Sequence, residues 1–183
     1  MKQLEEMVEL LVGHFDNRNQ YAKMQEQGRM DYPYAKHVNS LCNEKIMGLP
    51  KDFDGYFVLE ESEYEIQGKT NRSSHLFLFT QEEKGIKLTS YELSVKDVTF
   101  ADFQLINYDE LKESAKFTPA YYVKKEGIYE GGSVSHFSPV LTFTLFERFS
   151  PEWLEVSEMM EVNGKRTFGY DEPIIYERVA QDD

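Results

Sequence analysis

YFVLEESEYEIQGKTNRSSHLFLF, residues 56–79, is the stretch on which the fold turns. Its first half alternates with period two. Phe57 and Leu59 fall on one face, and Tyr56, Val58, Glu60, Ser62 and Tyr64 on the other. Gln67-Gly68 marks a turn, Arg72 follows it, and a second apolar strand runs to Phe79. Two orientations satisfy this pattern. In one, the Glu60 face lines a mostly apolar cavity, so Glu60 is a buried carboxyl that needs a partner or a raised pKa. Arg72, just across the turn, then pairs with it or with a ligand carboxylate. In the other, the same face is the wetted exterior and both charges are solvated.

Outward from this pair, the chain divides into a helical start and a long β region. Leu4, Met7, Val8, Leu11 and Phe15 recur at three- and four-residue spacing, which predicts an amphipathic helix of about three turns ending near Gly13. Asp16 to Tyr21 is turn-prone, a short helical piece is expected over 22–27, and 28–33 reads as a loop. From Tyr34 onward period-two runs predict strands near 35–46, 55–66, 74–80, 85–93, 101–106, 120–124, 133–137, 140–147, 154–162 and 173–179. Asn163-Gly164 is the strongest hairpin signal, and 108–116 (YDELKESAK) is the only later stretch that reads as a helix. About ten short strands after an N-terminal helix, without βαβ spacing, predict an all-β fold. A meandering antiparallel barrel is favoured over a sandwich, because closing the sheet removes its edges. The expected organisation is one domain, with a helical segment over 1–27 and the barrel over 34–180.

Composition narrows the function classes. Of 183 residues 40% are hydrophobic, including 13 Phe and 12 Tyr, enough to build a core. The net charge of −13 disfavours a nucleic-acid partner, which needs a basic patch. No apolar run approaches the roughly 20 residues of a membrane span. One cysteine, Cys42, and an N-terminus that does not read as a signal peptide lead to the expectation of a reducing, cytoplasmic location.

Sequence motifs for catalysis are absent: there is no GxGxxG, P-loop, GxSxG, HExxH or CxxC. His14, His37, His75 and His136 are scattered without metal-ligand spacing, so no metal site is expected. Cys42 reads as an inert thiol in preference to a nucleophile. Trp153 and Met159-Met160 read as core.

Several segments together resemble the CpcT/CpeT family of phycobiliprotein chromophore (bilin) lyases. They are Gly13 to Gln20 after the first helix, Tyr56 to Glu61, Asn71-Arg72, Lys87 to Leu93, and Asn163 to Arg178 with its Gly169 and Pro173. Asn71 and Ser74 stand where the family's YRxR turn carries its tyrosine and second arginine, and the family's second-half cysteines have no counterpart. The resemblance implies a lipocalin-like (calycin) barrel, often dimeric, that holds a bilin and joins it to an acceptor protein's cysteine by a thioether. It implies a catalytic, proton-moving or pyrrole-holding role for Glu60. Arg72 would hold a propionate, Tyr56, Ser62 and Tyr64 would line the pocket, and Ser74 would stand at the second anchor. No cofactor is required on this view; a bilin or similar tetrapyrrole is the ligand. The competing expectations are a non-catalytic carrier of another apolar ligand, such as haem, a fatty acid or a lipid, and an interaction barrel packed solid with Phe and Tyr.

Overall fold

Period-two patterning carries through into a closed β structure. In the computed structural model, which describes residues 2–180, the elements are α1 (Gln3–Leu11), β1 (Gly13–Asp16), α2 (Arg18–Glu26), β2 (Tyr34–Leu41), β3 (Ile46–Met47), β4 (Gly55–Ile66) and β5 (Lys69–Glu82). They continue with β6 (Gly85–Tyr91), β7 (Ile106–Asn107), β8 (Ala120–Lys125), β9 (Ile128–His136), β10 (Leu141–Phe149), β11 (Trp153–Val162), β12 (Lys165–Gly169) and β13 (Ile174–Val179). Strands β1, β2, β4, β5, β6, β8, β9, β10, β11 and β13 pair antiparallel in that order, and β13 returns to β1. The result is a closed, lipocalin-like ring of ten strands. Strand β12 lies outside the ring, paired with β11 on the edge that β13 uses further down. Among the described residues no helix is long and apolar enough to cross a membrane.

Tight turns set the meander. Gln67-Gly68, Glu126-Gly127 and Asn163-Gly164 all have positive φ at both residues, as a two-residue hairpin of type I′ requires. This turn matches the right-handed twist of its strands, so neighbours in sequence become neighbours in the sheet.

Helix α1 plugs one end of the ring. It buries Leu4, Met7, Val8 and Leu11 against Val58, Phe79, Ile86, Tyr122, Tyr129 and Phe149. Arg178 donates to the carbonyls of Val12 and Leu10 at 2.7 and 2.9 Å, satisfying acceptors that the helix end leaves open. The same guanidinium explains Gly13: a Cβ there would lie 2.1 Å from Arg178 Nη1.

A second apolar cluster lies on the outer face of β4 and β5. Phe57, Leu59, Leu76 and Leu78 pack there with Cys42, Ile46 and Phe103 beneath the 92–111 segment. Both strands are therefore buried on two faces over this part, which is why YFVL and HLFLF read as continuous apolar runs.

Four expectations change. Residues 18–21, expected as turn, open α2, which runs over Arg18–Glu26 where a helical piece was expected only over 22–27. Residues 13–16, expected to close a helix and open a turn, form β1 and complete the ring. The strand expected over 101–106 is reduced to the β3–β7 bridge. The helix expected over 108–116 is a single 3-10 turn at Tyr108–Glu110. Beyond it the chain runs along β6, with Glu92 N donating to Lys112 O and Ser114 N to Ser90 O. These tertiary hydrogen bonds outweigh the weak helix propensity of a stretch with no apolar stripe.

Candidate functional site

Opposite α1, the barrel holds an open cavity of about 310 Å³. Its position follows from side-chain parity. Even-numbered residues of β4 and odd-numbered residues of β5 point inward, so Glu60, Ser62, Tyr64, Ser73, His75 and Phe77 line it. Odd residues of β2 and β10 add His37, Phe143, Leu145 and Glu147, and even residues of β11 add Val156, Glu158 and Met160. The walls are apolar, whereas the deep part carries three carboxyl groups, Glu60, Glu147 and Glu158, together with buried His37.

Phenylalanines close around the mouth. Phe117, Phe137 and Phe143 form a ring cluster with centroids 5.2 to 5.8 Å apart. The exposed Lys116 places its Nζ 4.2 Å from the Phe137 centroid. Among the residues lining the cavity no arginine is present; Lys116 is its one fixed cation.

Two of the three carboxyls, Glu147 and Glu158, meet phenols, and Glu60 meets a serine hydroxyl and an imidazole. Tyr122 Oη donates to Glu147 Oε2 in a buried hydrogen bond. Ser62 Oγ donates to Glu60 Oε1 at 3.2 Å, and Glu60 Oε2 lies 3.5 Å from His37 Nδ1. Tyr176 Oη is 3.1 Å from His37 Nε2 and 3.2 Å from Tyr64 Oη, and Tyr64 Oη is 3.5 Å from Glu158 Oε2.

Burial pushes the Glu147 carboxyl up to about 8; the charges of Glu60 and Glu158 add to the rise and the Tyr122 bond opposes it. Burial and the Glu60 charge push Glu158 up to about 7, against the bond from Tyr64. Burial lowers the His37 imidazole, with Glu60 pulling the other way. Burial also raises the phenols of Tyr64, Tyr122 and Tyr176 well above the ordinary tyrosine value. Near neutral pH the cavity therefore stores protons on carboxyl groups instead of carrying a fixed triple negative charge.

The predicted site residues separate. Glu60, Ser62 and Tyr64 line the cavity. Tyr56 shares their face but packs against the core cluster at the α1 end and does not line it. The placement expected of Arg72 and Ser74 is corrected: both lie on the outer face of β5. Register pairs Arg72 with Glu63, the outward parity, and Arg72 Nε donates to Glu63 Oε2 at 2.7 Å with most of its side chain exposed. Ser74 is buried under the 92–111 segment, which straps the outer face of β4 and β5; its Oγ donates to Val98 O at 2.6 Å and accepts from Val98 N at 2.9 Å.

Cys42 is fully buried in the outer cluster, with its thiol pushed up to about 12 by burial, so it supplies no nucleophile to the cavity. Among the described residues no group of three or more His, Cys, Asp or Glu is arranged to hold a metal ion.

Glu147, Glu158 and His37 did not emerge from sequence as site residues, though a signal was present. Each carboxyl interrupts an apolar row of one parity, Phe143-Leu145-Glu147-Phe149 and Leu154-Val156-Glu158-Met160, as Glu60 does after Val58. Comparisons with protein-family models and with curated proteins find no match to this chain.

Proposed function

We propose that the chain binds an amphiphilic, N–H-bearing ligand of the open-chain tetrapyrrole class in the barrel cavity, as a chromophore lyase-like protein of the CpcT/CpeT kind. The observation that carries this reading is the convergence of Glu60, Glu147 and Glu158 on one apolar-walled cavity. Carboxyl groups accept hydrogen bonds from pyrrole N–H groups and protonate a pyrrole nitrogen, while aromatic walls take the flat rings. Arg72 and Ser74 take no part in binding, because they face outward. Lys116 at the mouth is the cation placed to meet a propionate. About 310 Å³ lies at the small end of ligand sites, so part of a tetrapyrrole would stand in the mouth beside Phe117 and Phe137.

The lyase step is thiol addition by an acceptor protein's cysteine. Its S–H bond breaks and the sulfur bonds to a carbon of an exocyclic double bond conjugated with a pyrrole ring; the π bond breaks, a cavity carboxyl delivers a proton to the conjugated system, and the proton released by the thiol restores that carboxyl. The test is a spectroscopic titration of the protein with phycocyanobilin, followed by an acceptor subunit. A red-shifted, intensified long-wavelength band is expected, with binding weakened roughly tenfold in Glu60→Gln, the loss of one charge-assisted hydrogen bond. No spectral change with phycocyanobilin or biliverdin would overturn the reading.

The small volume favours one second reading, a non-catalytic carrier of a more compact amphiphile with a cationic head. A ligand retained in the purified protein and identified by native mass spectrometry would decide for it.

A further inference from the structure

We infer that Glu60, His37, Tyr176, Tyr64 and Glu158 form a relay that holds one mobile proton and presents it to the cavity at either carboxyl group. The five side chains come from β2, β4, β11 and β13 and make a continuous chain. Its links are 3.5 Å (Glu60 Oε2 to His37 Nδ1), 3.1 Å (His37 Nε2 to Tyr176 Oη), 3.2 Å (Tyr176 Oη to Tyr64 Oη) and 3.5 Å (Tyr64 Oη to Glu158 Oε2). Both terminal carboxyls line the cavity. Such a relay governs protonation inside the barrel whatever the ligand is.

The donor inventory leads to a single proton. With Glu158 protonated, it donates to Tyr64, Tyr64 to Tyr176, Tyr176 to His37 Nε2, and His37 Nδ1–H to the Glu60 carboxylate. With Glu60 protonated, every link reverses. With both carboxylates ionised, an imidazolium at His37 donates in both directions and the chain is again complete. Passing from the first state to the second moves four hydrogens by one link each. The Glu158 O–H bond breaks, a Glu60 O–H bond forms, and the three groups between them end neutral. If the proton is removed altogether, one link is left with two acceptors facing each other in a buried setting, which is costly.

The surroundings suit this. Glu147 with its Tyr122 partner faces the chain from β10 and β8, His75 from β5, Ser62 from β4, Tyr32 from the loop before β2, and Lys116 stands at the mouth. Burial raises the Glu158 carboxyl to about 7 and lowers the His37 imidazole, so the shared proton favours the carboxyl end of the chain over a resident imidazolium. The two outer links are long, and transfer across them requires closing by roughly 0.5 Å. Tyr64 and Tyr176 act here as positioning residues that conduct the proton.

The relay is tested on the ligand-free protein by NMR. The ¹⁵N signals of His37 and the side-chain carboxyl ¹³C signal of Glu158, assigned with Glu158→Gln, are followed against pH. Groups that compete for one proton titrate as a unit, so the two signals are expected to share a midpoint in the wild type. Tyr176→Phe removes one hydroxyl and leaves both carboxyls in place, and is expected to separate the midpoints by about 1 pH unit or more. Tyr64→Phe breaks a different link and is expected to do the same, which covers a failure of Tyr176→Phe to fold. Distinct midpoints in the wild type overturn the relay, and so do shared midpoints in either folded variant. A failure to bind phycocyanobilin would leave these curves unchanged.

Discussion

Tyr122 and Glu147 meet inside the barrel, both buried, and the pair has measurable consequences. Tyr122→Phe leaves the carboxyl without its donor and is expected to destabilise the fold by about 1–3 kcal/mol in chemical denaturation. The pH dependence follows from the raised carboxyls. Between the unfolded value near 4.5 and the folded values of about 8 for Glu147 and about 7 for Glu158, the native state binds more protons than the unfolded state. Stability therefore falls as pH rises through that window, by up to about 1.4 kcal/mol per pH unit for each group. His37 opposes part of this, since its lowered value gives the unfolded state more protons up to about 6.5. Glu6, Asp16, Glu63 and Glu130 have lowered values and contribute stability that is lost only as pH falls below the ordinary carboxyl range. Denaturation midpoints measured from pH 5 to 8 are thus expected to fall, and Glu147→Gln to flatten the curve. Arg72→Ala, on the outer face, is expected to change stability by less than about 1 kcal/mol and leave ligand affinity within about twofold. At this scale the sequence offered the parity of Glu60 but not the inward or outward choice for Arg72. That choice depends on which residue faces Glu60 across the hairpin, and register makes it His75.

The elements divide by how local their causes are. Helix α1 was legible because its stripe of Leu4, Met7, Val8 and Leu11 fills one face at helical spacing. Met7→Ala, at a fully buried position, is expected to cost about 2–5 kcal/mol in denaturant unfolding, a cavity penalty that spares secondary structure. The Asn163-Gly164 hairpin was legible because its turn chemistry is local. Strand β1 was not, since four residues, Gly13-His14-Phe15-Asp16, become a strand only where β2 and β13 stand on either side to pair with them. The 92–111 strap was misjudged for the same reason. Its anchors are distant: Ser74 holds Val98, and Glu61 Oε1 accepts from Phe100 N at 2.9 Å. Ser74→Ala is expected to loosen this strap at a cost of about 1–2 kcal/mol, read as faster proteolysis between residues 92 and 105, without altering the cavity.

At the scale of the molecule, charge and closure dominate. A net charge of −13 repels itself, whereas the surface ion pairs, such as Lys2–Asp54 and Arg166–Asp171, are mostly exposed and individually weak. Raising salt from about 0.05 to 0.5 M is expected to raise the melting temperature by about 2–4 °C, since screening relieves more repulsion than attraction. Antiparallel closure was legible because a meander of short strands has few other ways to hide its edges. The strand that stays out of the ring was not, because β12 carries the same pattern as its neighbours and only the competition with β13 for one edge of β11 displaces it. That displacement leaves a short flap beside the wall, joined to the ring only through β11. The flap includes Phe168, which borders the cavity, and β12 is tied to β11 by four residue pairs. Swinging the flap aside would break those pairs and leave all ten staves of the barrel standing, so a guest larger than the resting cavity is expected to enter here without unfolding the ring. In deuterium exchange, amides of 165–169 should label ahead of every strand of the ring, and should slow when the guest is in place.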